Sequence, residues 1–421
     1  MTSFQMKKIQ SIWNQLRVWG IKGVWNFLLR KYDDFKTYRS LLRNARKYPL
    51  CPIRGITIIA NLTNRGSLNK VMRDFAHALH KAGIPFQTLD LHPQHNSPSI
   101  DTEGILTPVD QFRILKYDNI IEISSSPLPK HLPIKRSRIV FWEFTTGLLE
   151  YDPMLADSPT IIAMSDFNYA VFKQILLPPV NVHKITYPFF FDCEAIANKM
   201  SVREKYGIQE DAFVVFFNFD YESSFHRKNP EGCIKAFANA FADICNSVLV
   251  FKTMNATRHQ TERNRLWALA EHLGVSKKVI MIDSYIPQHD VYGLTGACDI
   301  YLSLHRGEGF GLGIAEAMSL GKAVVVTDYS STVEFCNAQN SIPIPYSIDV
   351  VSEDMHDHPC YHGVKEWAEP NIDIASAELR RLYYDPALRE RLGNAAKAFI
   401  SEHFSTENFR KSVEMFLCRS S

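Results

Sequence analysis

The sequence predicts an α/β chain of two doubly wound, Rossmann-like domains facing a central cleft. Three observations carry this. Short apolar runs alternate with stretches of helical periodicity, the pattern of a parallel sheet covered on both faces. The alternation runs twice, interrupted at Tyr187-Pro188-Phe189-Phe190-Phe191-Asp192. The chain of 421 residues, 46% of them hydrophobic, is long enough to bury more than one core.

Residues 1–50 stand apart. They hold eleven Lys/Arg against Asp33 and Asp34, a charge of +9 in a chain of net charge +2, which leaves −7 for the remainder. Ile9, Ile12, Trp13, Leu16 and Trp19, then Val24, Trp25, Leu28 and Leu29, recur at helical spacing around a break at Gly20. This reads as two basic amphipathic helices. They either dock the protein peripherally on the inner face of the cell membrane or pack on the fold or a second subunit. No apolar run approaches the roughly 18 residues of a membrane span, and no signal peptide is evident.

The first domain is expected over residues 51–190. Its strands are ITIIA, FQTLDL (86–91), NIIEIS (119–124), RIVFWEF (138–144) and TIIAMS (160–165), with a helix from Leu68 to Ala82 closed by Gly83. Residues 191–205 read as a linker. The second domain, 206–400, has strands AFVVFFNF (212–219), SVLVFKT (247–253), VIMID (279–283), IYLSL (300–304) and AVVVTD (323–328). Residues 401–421 form a last helix expected to cross back to the first domain. In such a pair, a ligand lies between the domains, outside the carboxyl ends of the strands.

Several function classes are excluded. The near-neutral charge does not suit a dedicated nucleic-acid binder. No GxGxxG opens the first helix and no GxxxxGK[ST] is present, which sets aside dehydrogenases and phosphate-loop ATPases. The eight cysteines are scattered without a CxxC pair, so a reducing, cytoplasmic setting and no structural metal are expected. No HExxH or His/Asp cluster suggests a catalytic metal.

The chemistry concentrates after IYLSL, in His305-Arg306-Gly307-Glu308-Gly309-Phe310-Gly311-Leu312-Gly313-Ile314-Ala315-Glu316. Four glycines in seven residues at a strand-to-helix turn let backbone N–H groups approach a ligand, and the helix start favours anionic groups. Glu308 and Glu316 offer carboxylates to hydroxyls. After AFVVFFNF, Arg227 and Lys228 precede Asn229 and Pro230, an N-cap followed by a first-turn proline. Cations there suit a pyrophosphate, stabilising a leaving group as its charge grows.

Glu308 and Glu316, with the seven residues GFGLGIA between them, resemble the paired-glutamate motif of family-4 retaining glycosyltransferases with the GT-B fold. FNFDYESSFHRKNPEGCIKAF, LSLHRGEGFGLGIAEAMSLGKAVVVTDYSSTVEF and WAEP (367–370) are similar to the branch that builds bacterial surface polysaccharides, over roughly residues 205–405.

The resemblance implies a metal-independent transfer of a hexose or deoxyhexose, with retention, from a GDP- or UDP-linked donor to a saccharide or lipid-linked acceptor. It assigns Glu316 to the donor ribose, Glu308 to the transferred sugar and Lys228 to the diphosphate. Arg227 shares that last role or cedes it to the position of Asn218, where many relatives carry their arginine. Gly309, Phe310, Gly311 and Leu312 belong to the donor loop. Tyr285 and Ile286 lie where backbone groups would meet the base.

Other positions stay open at this stage. Gly66, in the turn Asn61–Ser67, either closes a tight turn or lines the cleft. Glu143 either replaces the histidine that many relatives place beneath the sugar or is a structural glutamate. Thr327–Thr332 either touch donor phosphates or form a plain turn. An inactive GT-B saccharide- or partner-binding protein and a GT-B nucleotide-sugar epimerase remain as alternatives.

Overall fold

The structure is a computed structural model that describes residues 54–60, 62, 67–90, 117, 119–123, 135–148, 155, 159–189, 199–352, 355, 361 and 363–419. Residues 1–50, Gly66 and the turn around it lie outside the described residues, as do the expectations placed on them.

The first domain opens with β1 (Ile56–Ala60), fully buried, followed by α1 (Ser67–Lys81) and β2 (Phe86–Asp90). Then come β3 (Asn119–Glu122), β4 (Lys135–Ile139), β5 (Thr160–Ala163), α2 (Asp166–Ile175) and β6 (Asn181–Lys184). The six strands form one sheet in the order β2-β1-β3-β4-β5-β6, with every pairing parallel. Strand order reverses at β1, so the crevice of this half opens between β1 and β3.

One strand is displaced from its expected place. The sheet takes up Lys135–Ile139 and not the apolar run up to Phe144. The reason is Asn168 of α2. Its amide donates to Trp142 O at 2.6 Å and accepts from Trp142 N at 3.2 Å, so a side chain satisfies the backbone groups that a neighbouring strand would have paired. Residues 141–144 thereby leave the sheet, with Phe141 and Glu143 lining the cleft and Trp142 and Phe144 buried in the core. The short polar strand β6, NVHK, has no apolar signature and was not expected.

The second domain follows the same plan. Lys199–Lys205, expected within the linker, forms α3, and Lys205 pairs with Asp290 of the second domain at 2.5 Å. After it come β7 (Phe213–Asp220), the one-turn α4 (Phe225–Lys228), α5 (Pro230–Phe241), β8 (Ser247–Met254), α6 (Gln260–His272) and β9 (Val279–Ile282). The chain continues through α7 (Gln288–Ala297), β10 (Ile300–Ser303), α8 (Leu312–Ser319), β11 (Ala323–Thr327) and β12 (Ile342–Ile344). The sheet order is β12-β11-β10-β7-β8-β9, again parallel, with its reversal at β7.

An antiparallel hairpin, β13 (Tyr346–Val350) with β14 (Glu366–Pro370), interrupts this plan and was not anticipated. The segment joining its strands carries Val351, Tyr361 and Val364 into a buried cluster with Trp142, Phe144, Leu148, Ile161 and Phe172. Part of the first domain's core is therefore supplied from beyond residue 350.

Three helices end the chain: α9 (Ile372–Tyr384), α10 (Pro386–His403) and α11 (Thr406–Arg419). The last lies on the first domain. Phe409 meets Phe75 edge-on at 5.1 Å, Phe416 meets His183 at 5.5 Å, and Ser412 Oγ accepts from Thr186 N at 3.2 Å. Among the described residues, no helix is long and apolar enough to cross a membrane.

Candidate active site

A cleft of about 400 Å³ opens between the two sheets at the carboxyl ends of their strands. Both sequence-derived clusters line it: Arg227, Lys228, Glu308, Gly309, Phe310, Gly311, Leu312 and Glu316, with Glu143, Tyr285 and Ile286. The sheet arranges them. The glycine-rich loop follows β10, Arg227 and Lys228 follow the adjacent β7, and Tyr285 and Ile286 follow β9 at the far edge. An extended ligand would thus run across the strand ends with its two poles at β10 and β9.

The cationic turn is built by caps. Ser224, at φ +69°, accepts from Arg227 N and starts α4; Asn229, at φ +52°, accepts from Gly232 N and starts α5. Asn229 also donates to Leu304 O at 2.8 Å, which ties the turn to the end of β10. Lys228 Nζ then forms a hydrogen-bonded ion pair with Glu308 Oε1. Arg227 lies 3.5 Å from Glu308 Oε2 and 3.6 Å from Glu143 Oε1, and donates to Gly307 O and Ser223 O at 2.8 Å each.

Two carboxylates thus share one guanidinium in opposite environments. Burial raises the Glu308 carboxyl, but Lys228 and Arg227 overrule it and hold it down to about 2. Glu143 is raised, by burial first and by the nearby Glu308 charge, with Arg227 opposing. Lys228 is lowered by burial, against the pull of Glu308. The cluster can neutralise an anion at Lys228 while keeping one carboxylate ionised to accept hydroxyls.

The glycines of the loop after β10 are explained by the protein packed against them. A Cβ on Gly307 would stand 2.8 Å from Glu143 O, and one on Gly309 would stand 3.0 Å from Phe141 Cβ, so the loop's bareness lets the first domain close on it. Gly311, at φ +93°, caps α8 in a conformation that side chains resist. Phe310 lines the cleft, yet its ring stacks on Tyr187 at 4.2 Å and packs on Phe335 and Phe404, joining the domains.

Thr327–Thr332 do not line the cleft; they support it from behind. Ser330 Oγ accepts from Glu308 N at 2.8 Å, Ser331 N donates to Glu308 O at 3.3 Å, and Ser331 Oγ meets Ser165 Oγ of the first domain at 2.9 Å. Asn218 accepts from Tyr301 OH at 2.6 Å beneath α8.

Sequence reasoning missed four participants. Lys70 reaches Glu316 from α1 at 3.7 Å, beside Asp74 at 2.7 Å. Tyr361 comes in on the hairpin segment, 5.8 Å from the Arg227 guanidinium. Arg306 bonds Glu369 at 3.0 Å and lies 4.8 Å from the Trp367 ring, fastening β14 to the loop. Lys252 of β8 lies buried in the cleft wall, where burial lowers its ammonium to about 8. Its hydrogen bond goes to Thr253 O at 3.1 Å. The i,i+4 pair Lys70/Asp74 was visible, but such pairs are common on helix surfaces.

Residues 198–355 match the family described as Glycosyl transferases group 1. The serotype-specific mannosyltransferase WbdA of Escherichia coli is 25% identical over 177 residues, 40% of this chain but only 20% of that protein, so the match spans about a fifth of the curated relative. Among solved structures, a glycosyltransferase from Rickettsia africae ESF-5 superposes with a TM-score of 0.63 at 14% identity, covering 88% of this chain and 99% of its own. Anabaena Alr3699/HepE in complex with UDP and glucose gives 0.60 at 15% identity, covering 87% and 100%. The chain accordingly has the GT-B fold of two Rossmann-like domains, and its residues 198–355 are similar to the glycosyl transferases group 1 family.

Proposed function

We propose that the protein is a retaining glycosyltransferase that moves a hexose or deoxyhexose from a GDP- or UDP-linked donor to a saccharide or lipid-linked saccharide, in the building of a cell-surface polysaccharide. The observation that carries this reading is the buried ion cluster at the cleft, Lys228 paired with Glu308 and Arg227 between Glu308 and Glu143.

In this reading the diphosphate lies against Lys228 and Arg227. As the bond to the sugar breaks, the leaving oxygen gains negative charge and the preorganised cations stabilise it, which leaves no step that demands a metal. The ionised Glu308 accepts hydroxyls of the transferred sugar. Glu143, its carboxyl raised by burial, faces the same guanidinium from the first domain. Glu316 accepts the ribose hydroxyls, and the polypeptide near Tyr285 and Ile286 receives the base.

Thermal melting against a panel of nucleoside diphosphates, followed by nucleotide release from GDP- and UDP-sugars with and without saccharide acceptors, tests the proposal. A bound nucleotide at 100 times its Kd stabilises by about 2.7 kcal/mol. Acceptor-dependent release that survives a chelator is expected. Binding without release would point to an inactive binding protein, and release with isomerised sugar and no acceptor to an epimerase.

A further inference from the structure

Glu316 sits on α8 of the second domain, yet its nearest cation belongs to the first. Lys70 Nζ lies 3.7 Å from Glu316 Oε1 and 2.7 Å from Asp74 Oδ2, and the three side chains are only 15%, 7% and 6% exposed. One ammonium is thus shared by two buried carboxylates across the domain boundary. Asp74 has its own anchor in Tyr187 OH, which donates to it at 2.9 Å. Tyr292 of α7 donates to Glu316. Arg73 of α1, Tyr301 of β10 and, beside Arg73, Tyr285 also face this cluster.

A carboxylate can accept from two vicinal hydroxyls, one on each oxygen, whereas a carboxylic acid uses one oxygen to hold its proton. Burial pushes the Glu316 carboxyl up to about 7, with Lys70 the foremost opposing influence and Asp74 adding to the rise. Removing Lys70 raises it further and favours the acid, the poorer partner for a diol.

We propose that Lys70 is a positioning residue for the donor nucleoside: supplied by the first domain, it pairs with Glu316 and aims its carboxyl group, so that the nucleotide site of the second domain is complete only with the first domain packed against it. This rests on the ribose assignment of Glu316 made above. It makes nucleotide affinity a property of the domain pair. Asp74 sets the degree, because it competes with Glu316 for the same ammonium.

The test is calorimetric binding of GDP and of UDP to the full chain across neutral pH, in the wild type and in Lys70→Met, Lys70→Arg, Asp74→Asn and Glu316→Gln. Wild-type affinity falls as pH drops through about 7. In Lys70→Met this midpoint moves up by about one unit or more, which makes binding on the acidic side about tenfold weaker. Lys70→Arg keeps the wild-type midpoint, and Asp74→Asn moves it down. In a Glu316→Gln background, Lys70→Met produces no further pH effect. An unmoved midpoint in Lys70→Met, an upward shift in Asp74→Asn, or the same shift without the Glu316 carboxyl overturns the inference and leaves the donor reading standing. A wild type that binds neither nucleotide at any pH removes both.

Discussion

At the scale of single residues, Glu308 and Glu143 present the same side chain in two electrostatic settings. Glu308 is held ionised by two cations, and Glu143 is raised by burial and by its neighbour's charge. Removing Lys228 leaves Glu308 with the more distant Arg227 alone. Lys228→Ala is expected to lower turnover by about 100- to 1,000-fold, the usual effect of deleting one preorganised charge donor, with acceptor KM little changed. Glu308→Gln keeps the shape while leaving Lys228 without its counter-charge. It should lose turnover comparably and still bind nucleoside diphosphate. Steady-state kinetics beside nucleotide titration separates the two, and full activity in both variants would refute the site. Lys228 and Glu308 were legible because each stands in a motif whose glycines, cap and proline announce a turn. Lys70 was not, because what distinguishes it from any helical lysine is the domain packed against it.

At the scale of elements, the strands of the second domain were legible from long apolar runs such as FVVFFNFD and SVLVFKTM, which are buried on both faces. The polar strands of the first domain were not. KRSRI and NVHK pair in register with apolar neighbours, so the sheet imposes an order that their own composition does not suggest. The Trp142–Phe144 displacement is likewise invisible in sequence, since it depends on Asn168 reaching back over 26 positions. The turn between β7 and α5 was the most readable junction. Asn229 caps α5, bonds Leu304 O and holds a left-handed conformation. Asn229→Ala should cost about 2 kcal/mol, combining a lost cap with left-handed strain, and Asn229→Gly should recover part of that. Chemical denaturation at constant m-value measures it, and equal stability of Asn229→Ala and wild type would contradict the cap.

At the scale of the whole molecule, the domains are joined by polar as well as apolar contacts. Glu334, in the second domain, pairs with Lys184 of β6 at 2.6 Å and accepts from Asp166 N at 2.8 Å, with His403 at 3.5 Å. Burial raises the Glu334 carboxyl, but His403 and Lys184 outweigh it and the net shift is downward from 4.5. The folded value lies below the unfolded one, so this junction contributes stability that is fully present above about pH 4.5 and is lost as pH falls through the depressed value. Melting curves of the wild type should therefore weaken on acidification below that point more steeply than those of Glu334→Gln. Parallel acid profiles would show that the cluster carries no linkage.

The segment between β13 and β14 has a consequence for recombining this protein with others. Val351, Tyr361 and Val364 fill the first domain from a position far along the chain, and α11 returns to cover Phe75. A cut near residue 195 would therefore release two fragments with exposed apolar faces, and a chimera that exchanged only residues 54–189 for those of another GT-B protein would set a foreign surface against Tyr361 and Phe409. A workable exchange of the first domain has to carry three stretches of sequence together: the amino-terminal half, the hairpin segment and the final helix.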